Sequence, residues 1–209
     1  MNYPKSRRWC TPALMQKIMG PNPIKLTEEL MEAEGRAIAA GSRVCDLGSG
    51  QGLTSAFLAQ EYGLNVYAAD LWSDPEENRA FFHSLGLTDG QITPVKADAC
   101  ALPFAPDFFD AVVSVDSYNY FGRDASYLDE RLLPFVRSGG EICLAIPGMR
   151  HDCHDALPEV LLRSWTPEQL EYMHDADWWT ALLRQCRGAQ LLSVREMDSN
   201  EEVWADWLA

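Results

Sequence analysis

The chain has 209 residues, 47% of them hydrophobic, and a formal net charge of −14. That length sets a default of one domain with a full core. The acidity excludes the broad basic footprint of nucleic-acid binding, and no run of about 18 apolar residues offers a membrane span.

The segment Met1-Asn2-Tyr3-Pro4-Lys5-Ser6-Arg7-Arg8 has no apolar run behind it, so no signal peptide is read. The six cysteines, at 10, 45, 100, 143, 153 and 186, form no C-x-x-C pair. Cys45, Cys100 and Cys143 lie in or beside apolar strand patterns and are expected to act as small hydrophobes. The expectation is a reduced, cytoplasmic enzyme, monomer or homodimer, with no nucleic-acid or membrane partner.

Helical patterns cover residues 12–19 and 26–39, separated by the breaker Gly20-Pro21-Asn22-Pro23. Apolar runs then alternate with helical patterns. Strands are predicted over 43–47, 65–69, 92–97, 111–115 and 141–146, the last entered by a Gly139-Gly140 turn. Helices are predicted over 53–62, 75–85 and, despite Pro134, 127–136; Ser73-Asp74-Pro75 supplies a cap and a first-turn proline. A long helix follows over 167–187, opened by Thr166-Pro167-Glu168 and closed by Gly188. A sixth strand is predicted over 190–195 and a terminal helix over 198–209. This rhythm implies an α/β, doubly wound, mainly parallel sheet. The chain then divides into a helical cap (1–40), a cofactor-binding core (41–147) and a substrate-side segment (148–209) of one domain.

In such a sheet, ligands bind beyond the carboxyl ends of the strands. The first strand ends in Asp46-Leu47-Gly48-Ser49-Gly50-Gln51-Gly52. These glycines let the backbone approach a ligand closely. A dinucleotide loop would read G-x-G-x-x-G; here the third glycine comes one residue early. Asp46 would repel a pyrophosphate but suits a ligand carrying an ammonium. Asp70, eighteen residues after Gly52, ends the second strand and is followed by Leu71; its carboxylate suits two ribose hydroxyls. Asp98-Ala99 follows the third strand and suits an adenine edge. Ser114-Val115-Asp116-Ser117-Tyr118-Asn119-Tyr120-Phe121 closes the fourth, where the reacting end of a cofactor would lie. There Tyr118, Tyr120 and Phe121 offer aromatic faces to a cation, set against plain core packing.

As a set these residues resemble the class I S-adenosylmethionine-dependent methyltransferases, most closely the small-molecule type 11 group. The resemblance covers roughly residues 41–147, with Gly139-Gly140-Glu141 and Phe108-Phe109-Asp110 among its further marks. It implies S-adenosyl-L-methionine as cofactor and a small-molecule acceptor. It assigns Asp46, Gly48, Ser49, Gly50, Gln51, Gly52, Asp70, Leu71, Asp98, Ala99 and Asp116 to the cofactor, with Asn22 added from the segment expected to lie over it. It also implies a seven-stranded Rossmann-like sheet, of which the last strand has no counterpart here.

Methyl transfer from a sulfonium is a direct displacement, and alignment supplies much of its acceleration. Candidates for a catalytic group are His151, His154, Tyr118 and Asp116. His151 and His154 permit a metal pair, but with no third ligand in view no metal is assigned. Trp165, Trp178 and Trp179 suit either an acceptor pocket or a core. The alternatives are an S-adenosylmethionine-binding protein without catalysis and, less favoured, a nicotinamide-dependent oxidoreductase.

Overall fold

A computed structural model describes residues 3–33 and 38–208. Five parallel strands form one sheet in the order β3-β2-β1-β4-β5: β1 (Arg43–Leu47), β2 (Asn65–Asp70), β3 (Ile92–Lys96), β4 (Phe109–Val115) and β5 (Val136–Ala145). The order reverses between β1 and β4, the switch point at which ligands bind in open α/β sheets. Strands β1 and β4 are buried along nearly their whole length, which is why they read as apolar runs rather than alternations.

Helix α4 (Leu53–Tyr62) starts directly after the glycine loop and buries Ala56, Phe57 and Leu58 against the sheet. Helix α5 (Pro75–Ser84) is capped by Asp74, whose carboxylate accepts the Glu76 and Glu77 amides. Before the first strand come α1 (Pro4–Trp9), α2 (Pro12–Met15) and α3 (Pro23–Met31); α3 packs against α4 and β5, and α1 against α3. Glu28 of α3, fully buried, accepts the Lys5 and Ser6 amides and so caps α1 from outside.

Several expectations fail for physical reasons. Residues 127–136 do not form one α-helix. A wide turn over Leu128–Leu132 and a tight one over Leu133–Phe135 replace it, because Pro134 has no N–H to give. Gly139-Gly140 is not a turn before β5 but part of a bulge inside it: pairing passes from Phe109–Val136 to Ala111–Glu141. After the short α6 (Tyr118–Phe121) that follows β4, the predicted long helix splits into α7 (Pro167–Leu170) and α8 (Ala176–Leu183), because Asp175 opens a new helix by accepting the Trp178 amide. The helix of residues 12–19 shortens to α2.

Helix α3 starts three residues early, on the Asn22 cap and Pro23, and ends at Met31, so residues 34–37 of the predicted element lie outside the described residues. The predicted sixth strand is not formed, and residues 190–196 run past the open side of β5 without pairing. Arg195 is drawn instead to Glu29 of α3 at 2.7 Å, while Leu192 and Val194 face solvent. The terminal helix forms as α9 (Asn200–Leu208).

The described residues include all six cysteines and form no disulfide; Cys45 is a buried hydrophobe as expected and Cys143 half-buried, but Cys100 is exposed. No helix among the described residues is long and apolar enough to cross a membrane.

Candidate functional site

The glycine loop takes a shape that demands glycine. Gly48 and Gly50 have φ of 78° and 51°, the left-handed region that side chains disfavour. A Cβ on Gly48 would lie 2.3 Å from the Ser117 hydroxyl. One on Gly50 would lie 2.7 Å from the Met19 methyl group, so the N-terminal segment sits directly over the loop. Ser114 and Ser117 both donate to the Leu47 carbonyl at 2.8 Å, fastening the end of β4 to the start of the loop.

The pocket here is lined by Gly48, Ser49, Gly50 and Gln51 on one side and by Lys17, Met19, Gly20 and Pro21 on the other, with Asp116 between. The Ser49 hydroxyl in its wall is buried with no hydrogen-bond partner among the described residues, a polar atom that awaits a ligand.

Asp70 is fixed by three backbone donors. Its Oδ2 accepts Gly50 N at 2.9 Å, and its Oδ1 accepts Trp72 N and Ser73 N at 2.8 Å each. A carboxylate has about four acceptor positions, so ribose-binding capacity remains, and Leu71 beside it is exposed. Asp98 is exposed and accepts the Cys100 amide at 2.8 Å; the Ala99 carbonyl accepts the Tyr127 hydroxyl at 3.0 Å. Asp98 and Ala99, like Asp70 and Leu71, are not among the residues lining the pocket.

Asp46 is buried at the end of β1 and accepts the Ser55 hydroxyl of α4. Burial pushes its carboxyl up to about 7, with the Ser55 bond pulling down and the Asp70 charge pushing up. It braces the loop from beneath and is not among the pocket-lining residues. Asp116 differs. Its φ is 56°, its Oδ2 lies 2.5 Å from where a Gly20 Cβ would stand, and burial pushes it up to about 7. No described residue donates to its carboxylate. A non-glycine residue held at positive φ at a strand's carboxyl end is a mark of a working site.

Two predicted residues lie elsewhere. Asn22 does not face the pocket: its side-chain oxygen accepts the Ile24 amide at 3.0 Å as the cap of α3, and its amide donates to Asp206 at 2.7 Å. Tyr118 is buried in a second core cluster against Phe121, Tyr127 and Trp179, so it packs rather than presents a face. Tyr120 is exposed and rests on Tyr172 at 5.3 Å. Of the tryptophans, Trp179 is core and Trp178 stacks on His174 at 3.7 Å.

His151 is exposed, whereas His154 and Asp152 are joined by His174, a residue the sequence reading passed over. The signal was its place just before the Asp175 cap, hidden by the assumption of one continuous helix.

A five-stranded 3-2-1-4-5 parallel sheet with a glycine cradle and acidic residues at successive strand ends is a Rossmann-like arrangement of the kind found in methyltransferase structures. Residues 44–140, just under half of the chain, match the family described as "Methyltransferase domain". The chain is 29% identical over 177 residues to methyltransferase GfsG of Streptomyces halstedii, covering 83% of this chain and 61% of that protein. The structure of Haemonchus contortus phosphoethanolamine N-methyltransferase 2, with phosphomonomethylethanolamine and S-adenosylhomocysteine, superposes with a TM-score of 0.65 at 21% identity, covering 86% of this chain and 42% of that one. A SAM-dependent methyltransferase from Aquifex aeolicus superposes at 0.60 with 16% identity, covering 93% of both. The chain spans 44–65% of the length of the curated relatives it matches.

Proposed function

We propose that this protein transfers a methyl group from S-adenosylmethionine to a small-molecule acceptor by direct displacement. The observation that carries this reading is the meeting, at the sheet's switch point, of the glycine cradle, the buried Ser49 hydroxyl without a partner, and the Asp116 carboxylate. When bound, the cofactor supplies an electrophilic methyl group on a sulfonium.

The residues present fit that cofactor. The loop at Gly48 and Gly50 leaves space that any Cβ would fill, and Ser49 offers a hydroxyl. Asp70 retains about one acceptor position for a ribose hydroxyl, and Asp98-Ala99, though outside the lining of this pocket, follows the next strand end for the base. Asp116 holds the acceptor at the reacting end and takes its proton; a carboxyl brought up to about 7 is matched to that exchange near neutrality. The Haemonchus enzyme, whose structure holds a phosphorylated small molecule, supports a small-molecule acceptor.

Calorimetric titration with S-adenosylhomocysteine and, separately, with NAD tests the cofactor. Binding of the former alone is expected; binding of NAD alone would overturn the reading. A labelled-methyl screen over small amines, phenols and carboxylic acids tests catalysis. Tight S-adenosylhomocysteine binding with no transfer to any acceptor would favour a binding protein without activity.

A further inference from the structure

We propose that Asp152, His154 and His174 form a binding site for a divalent transition-metal ion of the zinc type, clipping the segment after β5 to the start of α8. The three residues present one ligand atom each, all within 4.8 Å of one another. Two contacts are already short: Asp152 Oδ1 lies 2.6 Å from His154 Nδ1, and Asp152 Oδ2 lies 2.9 Å from His174 Nδ1.

The hydrogen bonding around His154 points to a cation. Its Nε2–H donates to the Leu170 carbonyl at 2.9 Å. That bond leaves Nδ1 of a neutral imidazole with a lone pair, and the lone pair faces a carboxylate oxygen. At 2.6 Å the two are joined by a second ring proton, and a metal ion would displace that proton and hold the two donors further apart, at bonds of about 2.0–2.1 Å each. A backbone carbonyl on the far nitrogen is the usual outer support of a metal-bound histidine, because it fixes the tautomer and the ring plane.

The rest of the surroundings hold the donors in place. The His174 ring lies flat on Trp178, with centroids 3.7 Å apart and planes 9° from parallel. Asp152 N donates to Asp175 Oδ2 at 2.9 Å, while Asp175 Oδ1 caps α8 through Trp178 N, also at 2.9 Å. The backbone adds Met149 N to the His174 carbonyl at 3.3 Å. Two imidazoles and one carboxylate suit zinc and its neighbours rather than magnesium or calcium, which prefer all-oxygen shells. Three protein ligands also leave one place open in a tetrahedral shell. His174 lines the same cleft as Asp116.

The test is competition between the full chain and a chromophoric chelator for Zn2+, with Co2+ as a spectroscopic stand-in. Wild type is expected to take up one ion per chain. His174→Ala and Asp152→Asn are expected to weaken uptake at least about tenfold, whereas His151→Ala, in the same segment but outside the cluster, leaves it unchanged. Bound Co2+ is expected to show ligand-field bands without thiolate charge transfer. Circular dichroism and S-adenosylhomocysteine affinity, measured alongside, check that each variant is folded. Zn2+ uptake equal in wild type and His174→Ala would overturn the proposal. So would a thiolate band, which assigns the ion to cysteines, or no uptake by wild type, which leaves the second ring proton as the bridging charge.

Discussion

Asp70 Oδ2 accepts the amide of Gly50 at 2.9 Å, so the carboxylate at the end of β2 holds the glycine loop at the end of β1. One residue therefore shapes the cradle and, in the proposed function, contacts the ribose. Asp70→Ala removes both. S-adenosylhomocysteine affinity should fall by roughly 1.5–3 kcal/mol, the range for charge-assisted hydrogen bonds. Calorimetry on the variant checks this, and an unchanged affinity would contradict the ribose assignment.

Asp46 and Glu29 give opposite pH dependences in separate windows. Burial raises Asp46 to about 7 in the folded chain. The native state then holds a proton that the unfolded chain releases near pH 4. The stability this contributes is complete below that value and declines, by at most about 1.4 kcal/mol per pH unit, until pH passes about 7. Thermal denaturation between pH 4.5 and 7.5 should show that decline in the ligand-free chain, and Asp46→Asn should flatten it.

Glu29 runs the other way. Burial raises its carboxyl, but bonds from Ser199, Asp198 and Arg195 outweigh burial and bring it down to about 2. Its contribution is present above the ordinary glutamate range and is lost as pH falls from about 4.5 towards 2. The carboxylate accepts Asp198 N at 2.7 Å and Ser199 N at 2.9 Å, joining α3 to the segment before α9. Glu29→Gln should cost about 1–3 kcal/mol, because an amide cannot accept on both sides and buried donors lose their partners. Urea denaturation at pH 7 measures it, and a loss below about 0.5 kcal/mol would count against the clasp.

What the sequence revealed and what it hid follow from the range of the forces involved. The stretch from Arg43 to Tyr62 was legible because its determinants are local: an apolar strand, three glycines at fixed spacing, and a helix starting at once. Asp70 and Asp116 were legible by their place at strand ends. The break before α8 was not, because His174 is held by Asp152, 22 residues away. Nor was the fate of residues 190–195: their alternation suits a strand, but Arg195 is bound to Glu29, 166 residues earlier. Asn22 was assigned by analogy to the cofactor, whereas its own chemistry, an asparagine before a proline, already described a helix cap.

Asp116 offers the sharpest separation of acceptor chemistry from cofactor binding. It lies opposite Gly20 at the carboxyl end of β4, with its backbone at φ 56° and no hydrogen-bond donor from any described residue. Burial sets its carboxyl near 7, so the ionised form grows as pH rises through neutrality. If it takes the acceptor's proton, kcat/KM should rise with pH up to about 7 and then level off. Asp116→Asn keeps the size and removes the base. The variant should lose roughly 10²–10⁴-fold in methyl transfer and lose the rising limb, while S-adenosylhomocysteine affinity changes by less than about threefold, under about 0.7 kcal/mol. A variant that keeps the pH profile at full rate would remove Asp116 from the proton path. One that loses cofactor affinity in proportion to rate would move it to the cofactor side of the pocket.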